Sequence, residues 1–473
     1  MNYAEIAEKL IAAESVRKRK SMLSDLGEKA DVNLARALKD TYYASWTNEP
    51  KRVEKAAKAL KDLARSNASE EIKALSLWVS GIGDLTKGKL SSAVENLDRA
   101  AKIFQHSGKE YDAAQTQVAK LYALALLGRY ENAIRCGETA LKIFEKYGDE
   151  LSAGKIEKNL GNIVSRQEMH HKAERYYNSA RNRFLKIKNF PELTMCENGL
   201  AMTYAALNDF RRAEKFYASA LNRARRAKML VTEAEIEASL GNLALFRGRY
   251  DEALKFLELS RQKYEELKMP HQRATAELEI ADVYLELNLA REAFSIYETV
   301  SAELQKLKLQ GEEARARANL GRAAILLKEI KTAKAELKKS ARLFVAEKNA
   351  GGAAFVKLNE AHLALAQNDY KAALAFAAEA EKLLKQSENV RHKLTAKWIE
   401  GEALQNLGET AEAQSVLKKT YTAAVRQEQK IIAQAALDSL GKLFWKAGDA
   451  RLAKKYFRRA IETIENLRAP LAA

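Results

Sequence analysis

Two cysteines, four prolines and no apolar run of membrane-spanning length mark a chain of 473 residues, and each scarcity excludes something. Cys136 and Cys196 form no C-x-x-C pair, no zinc pattern and no disulfide framework, which predicts a reducing, cytoplasmic setting. So few prolines leave long helices uninterrupted. Without about 20 consecutive apolar residues, no membrane span is expected. The opening MNYAEIAEKLIAAE places acids among its apolar residues, unlike a secretory leader. A P-loop, G-x-G-x-x-G after a strand, G-x-S-x-G and H-E-x-x-H are all missing, and no strand pattern is evident. The chain is therefore not expected to be an enzyme, nor to carry a metal or cofactor.

What is present favours helix. Apolar residues make up 47% and charged ones 30%, which argues for a folded chain rather than a disordered one. The net charge is +17, which could draw a nucleic acid or an acidic protein. Lysines and arginines alternate with glutamates along helical stretches, so a solvated surface is the simpler reading. The runs Arg17–Lys20 and Arg223, Arg225, Arg226, Lys228 lack interleaved stacking aromatics and read as solvated faces, not as nucleic-acid contacts.

Steps of forty residues expose the organisation. From Gly81 to Gly441 the ten positions hold Gly or Ala, with Leu121 the one exception. Twelve residues later, Ala93 to Ala453 are all alanine, and seven further on the residues are again small, or Thr and Val. Tyr177, Tyr217, Leu257, Tyr297, Leu337, Leu417 and Phe457 share a bulky column. Each unit predicts two antiparallel helices, for example about 233–247 and 251–267, with Gly or Asn/Asp at the turn (Gly88, Gly128, Asn208, Gly248, Asn368, Gly448). One such pair cannot bury its apolar faces alone, so the units must stack.

This small–twelve–Ala–seven spacing resembles the tetratricopeptide repeat in a forty-residue form. Leu160-Gly161-Asn162 and Leu240-Gly241-Asn242 are similar to the Leu-Gly-Asn repeats and those of kinesin light chain. The resemblance implies an all-α fold, a right-handed superhelical solenoid of antiparallel helix pairs, over 72–468. Residues 1–71 are expected as an N-terminal helical cap, or a separate small domain, with a break at Thr47-Asn48-Glu49-Pro50, and 469–473 as a tail. Stretches such as AGKIEKNLGNIVSRQ and AIETIENLRAP also resemble the repeat region of bacterial proteins that join these repeats to a CHAT domain, a caspase-like peptidase. In that family the catalytic His and Cys follow the segment matching Leu467–Pro470, so no catalytic positions carry over here.

In repeats of this kind the first helix of each unit lines a concave groove. Its outward positions lie six and three residues before the small column, then one, four and five after it. Those positions nominate Lys155, Lys158, Asn162, Arg166, Asn198, Asn242, Arg315 and Arg322 as partner-binding residues. Lys158 and Asn162 resemble the start of the family's carboxylate clamp, but Gly199, Glu235 and Ser239 break its pattern. His170-His171 lacks a third ligand for a metal, and His170 shares a turn column with Tyr130 and Phe210. The expected function is a protein-interaction scaffold gripping a peptide or protein with an acidic or extended segment, in a longer parent regulating the attached or associated peptidase. An RNA-binding array and a self-assembling solenoid are the alternatives. The last helix suggests the second, because Ile461, Ile464 and Leu467 form an apolar stripe with no following unit to cover it, open to a homo-oligomer contact.

Overall fold

The computed structural model describes residues 2–45, 50–86, 89–307 and 309–468. Twenty-four α-helices and one short 3-10 turn fill the described residues, with no strand among them. Most of the Thr47–Pro50 break and the turn glycine Gly88 lie outside the described residues, as does the side chain of Leu467. From Glu70 onward, helices of seventeen residues recur almost every twenty, so a forty-residue unit holds two of them. The pair Leu230–Phe246 and Tyr250–Glu266 begins slightly earlier than the spacing suggested.

The chain forms two compact units, Met1–Ile163 and Val164–Ala473. In the first, the helices Tyr3–Ala12, Val16–Leu26, Val32–Ser45 and Pro50–Ser66 share one core with Glu70–Thr86 and Leu90–His106. Leu10, Leu34, Leu38, Leu63 and Phe104 are fully buried there. Arg19 corrects the reading of Arg17–Lys20 as a uniformly solvated run. Its neighbours face solvent, but Arg19 is buried and its Nε lies 2.8 Å from Asp62 Oδ2. A guanidinium taken out of water needs such a partner, and Asp62 supplies it.

The spacing code is a size code. Every member of the Ala93–Ala453 column is fully buried. A Cβ on Gly241 would lie 2.6 Å from Leu257 Cγ, and one on Gly441 2.6 Å from Phe457 Cδ1. Small residues on the first helix thus receive bulky ones from the second, which lets the helices close up. Leu121, the exception, shows the same rule inverted. Opposite it stands Gly137, whose Cβ would fall 3.1 Å from Leu121 Cδ2. The bulk has changed helices and the volume is conserved.

Turns between helices share one geometry. Asn208 has φ +60°, and the amides of Asn208 and Asp209 close onto the carbonyls of Ala205 and Tyr204 at 3.0 and 2.8 Å. Glycine or asparagine adopts this left-handed conformation at little cost. Yet Lys188, Lys228 and Lys348 adopt it as well, each with φ +53°. Stacking imposes the turn there whatever the residue.

Charges also tie neighbouring helices together in the second unit. Glu197, 2% exposed, accepts from Arg181 Nε and Arg223 Nη1, both at 2.9 Å. Glu237 accepts from Arg225 at 3.1 Å and Lys263 at 2.7 Å. Arg317 bridges Glu313 and Glu336 at 2.7 and 2.8 Å, with all three side chains about nine-tenths buried. Two members of the second basic run, Arg223 and Arg225, are therefore inter-helix struts and not merely solvated charges.

The inner wall of the second unit as a candidate binding face

Curvature in the second unit is fixed by a contact across it. Glu286, the last residue of helix Pro270–Glu286, accepts on Oε1 from Arg322 Nη1 at 3.3 Å and from Arg391 Nη2 at 2.9 Å. Arg391 belongs to helix Val390–Leu407, the first helix three units further on. First helices that far apart meet only if they line the inside of a bend. The outward positions of the second unit that flank this contact therefore face the inside of the bend.

At the centre of this inner wall, Asp282 gathers three donors. Tyr297 Oη donates to it at 2.6 Å, Asn319 Nδ2 at 2.7 Å, and the Arg315 guanidinium closes the group. Glu279 lies beside them, 3.8 Å from Arg315 Nη1 and hydrogen-bonded by Asn242. It is 8% exposed, and its Oε2 has no protein partner. Burial pushes its carboxyl up to about 7, against the opposing pull of Arg315 and Asn242. Glu286 behaves differently: burial works to raise it, but Arg391 and Arg322 overcome this and hold it below the usual carboxylate range.

Aromatic groups continue the wall. His392 stacks on Phe355 with ring centroids 5.4 Å apart, and His362 lies 5.5 Å from Trp398. Burial drives His362 down to about 3, with Arg322 adding to the effect, and His392 down to about 4. Both imidazoles stay neutral at ordinary pH. Met202, Phe246 and Leu326 project from outward positions with 52%, 50% and 48% exposure. Gln405, in the same set of positions, is buried with both amide atoms unpartnered by protein.

The eight nominated residues distribute unevenly. Asn242, Arg315 and Arg322 join the Asp282–Glu286 group just described. Asn198 sits half-buried elsewhere on the wall, with its Oδ1 lacking a protein partner. Arg166 is exposed at the end of helix Glu150–Arg166 and exerts its charge on Glu347. Lys155, Lys158 and Asn162 belong to the first unit on that same helix, the lysines half-buried and Asn162 exposed. Arg315 and Arg322 are not bare cations, since Asp282 and Glu286 face them. Those two acids, with His362 and Trp398, occupy the same outward columns as the nominated bases and amides. Glu279, two residues before the small column, and Arg391, at the start of its helix, fall outside those columns.

Other sequence candidates have structural settings. Cys196 is buried and its thiol donates to the Tyr177 carbonyl at 3.2 Å. Burial raises the half-buried Cys136 thiol to about 11. His170 is buried, whereas His171 is exposed with Nδ1 3.1 Å from Glu388. On the last helix Ile461 is exposed and Ile464 half-buried.

Residues 112–186, 152–226 and 435–466 match family profiles described as tetratricopeptide repeat. No curated protein matches the chain. Among solved structures, it is similar to a Rap protein complexed with competence and sporulation factor, at 13% identity and TM-score 0.57 over 76% of this chain and 99% of that one. It is also similar to the quorum sensor NprR from B. thuringiensis in its apo form, at 16% identity and TM-score 0.52 over 74% and 98%. NprR in complex with its cognate peptide NprX gives 17% identity and TM-score 0.51 over 76% and 98%. At such identities the likeness establishes the fold.

Proposed function

We propose that this chain, which carries tetratricopeptide repeats, works as a protein-interaction scaffold and captures an extended peptide segment on the inner wall of its second unit. The observation that carries the reading is the set of exposed Met202, Phe246 and Leu326 among the charged, amide and aromatic groups of the wall. A wall serving only solubility would have no use for three half-exposed apolar side chains at its outward positions. Apolar anchors between polar groups suit a peptide: pockets take its side chains, while Asn198, Asn242 and Gln405 can pair with its backbone. Arg166 favours an acidic segment at the exposed end of its helix, and Lys155, Lys158 and Asn162 give the first unit a basic and amide stripe. The Rap and NprR structures, solved with a factor and a peptide bound, add support by analogy of fold.

The finer reading places this scaffold in the cytoplasm as the sensor region of a caspase-like CHAT peptidase, attached or associated, with capture regulating cleavage. It rests on the family resemblance of the repeat stretches. Selection of linear peptides from a random library on the immobilised chain tests the binding claim. Enrichment that Met202→Asp and Phe246→Asp abolish would support it, and enrichment indifferent to both would refute it.

A further inference from the structure

The second unit meets itself. At Glu168 and His171, the turn before helix His170–Lys186 and the start of that helix touch the loop before helix Val390–Leu407. The Glu388 amide donates to the Glu168 carbonyl at 2.9 Å, and Asn389 Nδ2 donates to Glu168 Oε1 at 2.8 Å. The Ser387 hydroxyl donates to Glu168 Oε2, and the His171 amide to Glu388 Oε2 at 2.9 Å. One unit further along both strands of this seam, Gln429 Nε2 donates to Asn208 Oδ1 at 3.0 Å. The partners are separated by 217 to 221 residues, so the chain returns to its own edge after about five and a half units.

Local structure departs from the repeat at this place. Helix Tyr370–Leu383 has 14 residues where its counterparts have 17. Glu388 lacks the left-handed conformation that Glu168, Asn368, Gly408 and Glu428 adopt at the equivalent step. Gly351 makes room opposite, since a Cβ there would lie 2.9 Å from Glu168 Cδ. Contact with His171 holds the Glu388 carboxyl below its usual range although burial works to raise it. Three independent features, a shortened helix, a missing turn and a glycine clearance, thus converge on one contact.

From this we infer that the seam closes the inner wall of the second unit into a walled channel, which its ligand enters as a linear segment led by a free end and not as a loop of a folded protein. The inference rests on the peptide-binding reading above and narrows it to one class of ligand. The Glu286–Arg391 contact supports it, because it ties first helices three units apart across the inner side of the same bend.

Labelling of Met202→Cys tests it without any ligand. Three maleimides serve as probes: N-ethylmaleimide, a flexible polyethylene glycol chain carrying the maleimide at its end, and a maleimide on a short linker to folded streptavidin. Peptide mass analysis separates labelling of the introduced thiol from that of the native Cys136 and Cys196. In the otherwise wild-type chain the first two reagents should react and the third should be at least tenfold slower than in a seam-opened chain carrying Glu168→Ala, Asn389→Ala and Gln429→Ala. Glu168→Gln keeps an acceptor and should label as the closed chain does. Equal streptavidin labelling with the seam intact and opened overturns the inference, as does fast labelling in Glu168→Gln. A polymer that fails to react where N-ethylmaleimide succeeds overturns entry by a free end. Expected labelling combined with no enrichment of peptides would refute the binding function alone and leave the seam standing.

Discussion

The inner wall of the bend and the interfaces between neighbouring helices draw on the same residue types but treat them differently. Between neighbouring helices, Glu197, Glu237 and Arg317 each meet two oppositely charged partners. On the inner wall, Glu279, Asn198 and Gln405 keep buried polar atoms with no protein partner. Each such atom costs about 1–3 kcal/mol when unpaired, and Ser260 Oγ, buried between packed helices, shares that cost. Paired charge marks where the helices hold one another, while the unpartnered groups of the inner wall have bonds left for a ligand to supply.

The largest effect should come from breaking the satisfied side. Arg317→Ala leaves the buried Glu313 and Glu336 facing each other without their shared cation, although Lys339 still reaches Glu336. A loss of about 3–5 kcal/mol is expected in denaturant unfolding. A loss below about 1 kcal/mol would show the strut to be incidental.

Glu279 sharpens the contrast from the unsatisfied side. Its carboxyl titrates at about 7 in the folded chain against an ordinary 4.5, chiefly through burial. Between those values the folded state binds more protons than the unfolded one, so stability falls as pH rises, and the full penalty stands above 7. Glu279→Gln removes the ionisation. At about pH 8 it should stabilise the chain by roughly 1–3 kcal/mol, while at about pH 4.5 the two chains should melt alike. A variant less stable than wild type at the higher pH would mean that Arg315 holds the ionised form and the site is satisfied after all.

Packing gives a comparable magnitude with no pH dependence. Ala253→Leu forces volume into a crossing where Ala253 is fully buried, and about 1–3 kcal/mol of destabilisation should follow in thermal melts. Wild-type stability there would contradict the size code of the two helices.

How much of this was legible in the sequence differs by feature for physical reasons. The packing columns were fully legible, because a fixed register forces small against large at each crossing. Even Leu121 could have been understood by reading the bulky column back to Gly137. Turns were legible where Gly or Asn occupies the left-handed step and invisible where Lys188 or Lys228 does, since stacking and not local preference bends the chain there. The struts were hidden in plain sight: Glu157, Glu197, Glu237, Glu277 and then Arg317, Lys357 and Lys397 form a forty-step column four residues before the small one. Reading charge as solvated surface passed over them. The contact of Glu168 with Asn389 had no signal at all, because it depends on a rotation accumulated over several units.

The most direct test of the inner wall as the binding face is an affinity measured by titration calorimetry with a linear peptide enriched from the random library. The double variant Asn242→Ala/Arg322→Ala should bind it at least about tenfold more weakly, or about 1.4 kcal/mol, with melting nearly unchanged because Arg391 continues to pair with Glu286. Reversing the exposed Arg17, Lys18 and Lys20 to glutamate, leaving Arg19 in its pair with Asp62, should alter affinity far less. Unchanged affinity in the double variant, with binding lost in the reversed chain, would contradict the account and assign the partner to surface charge.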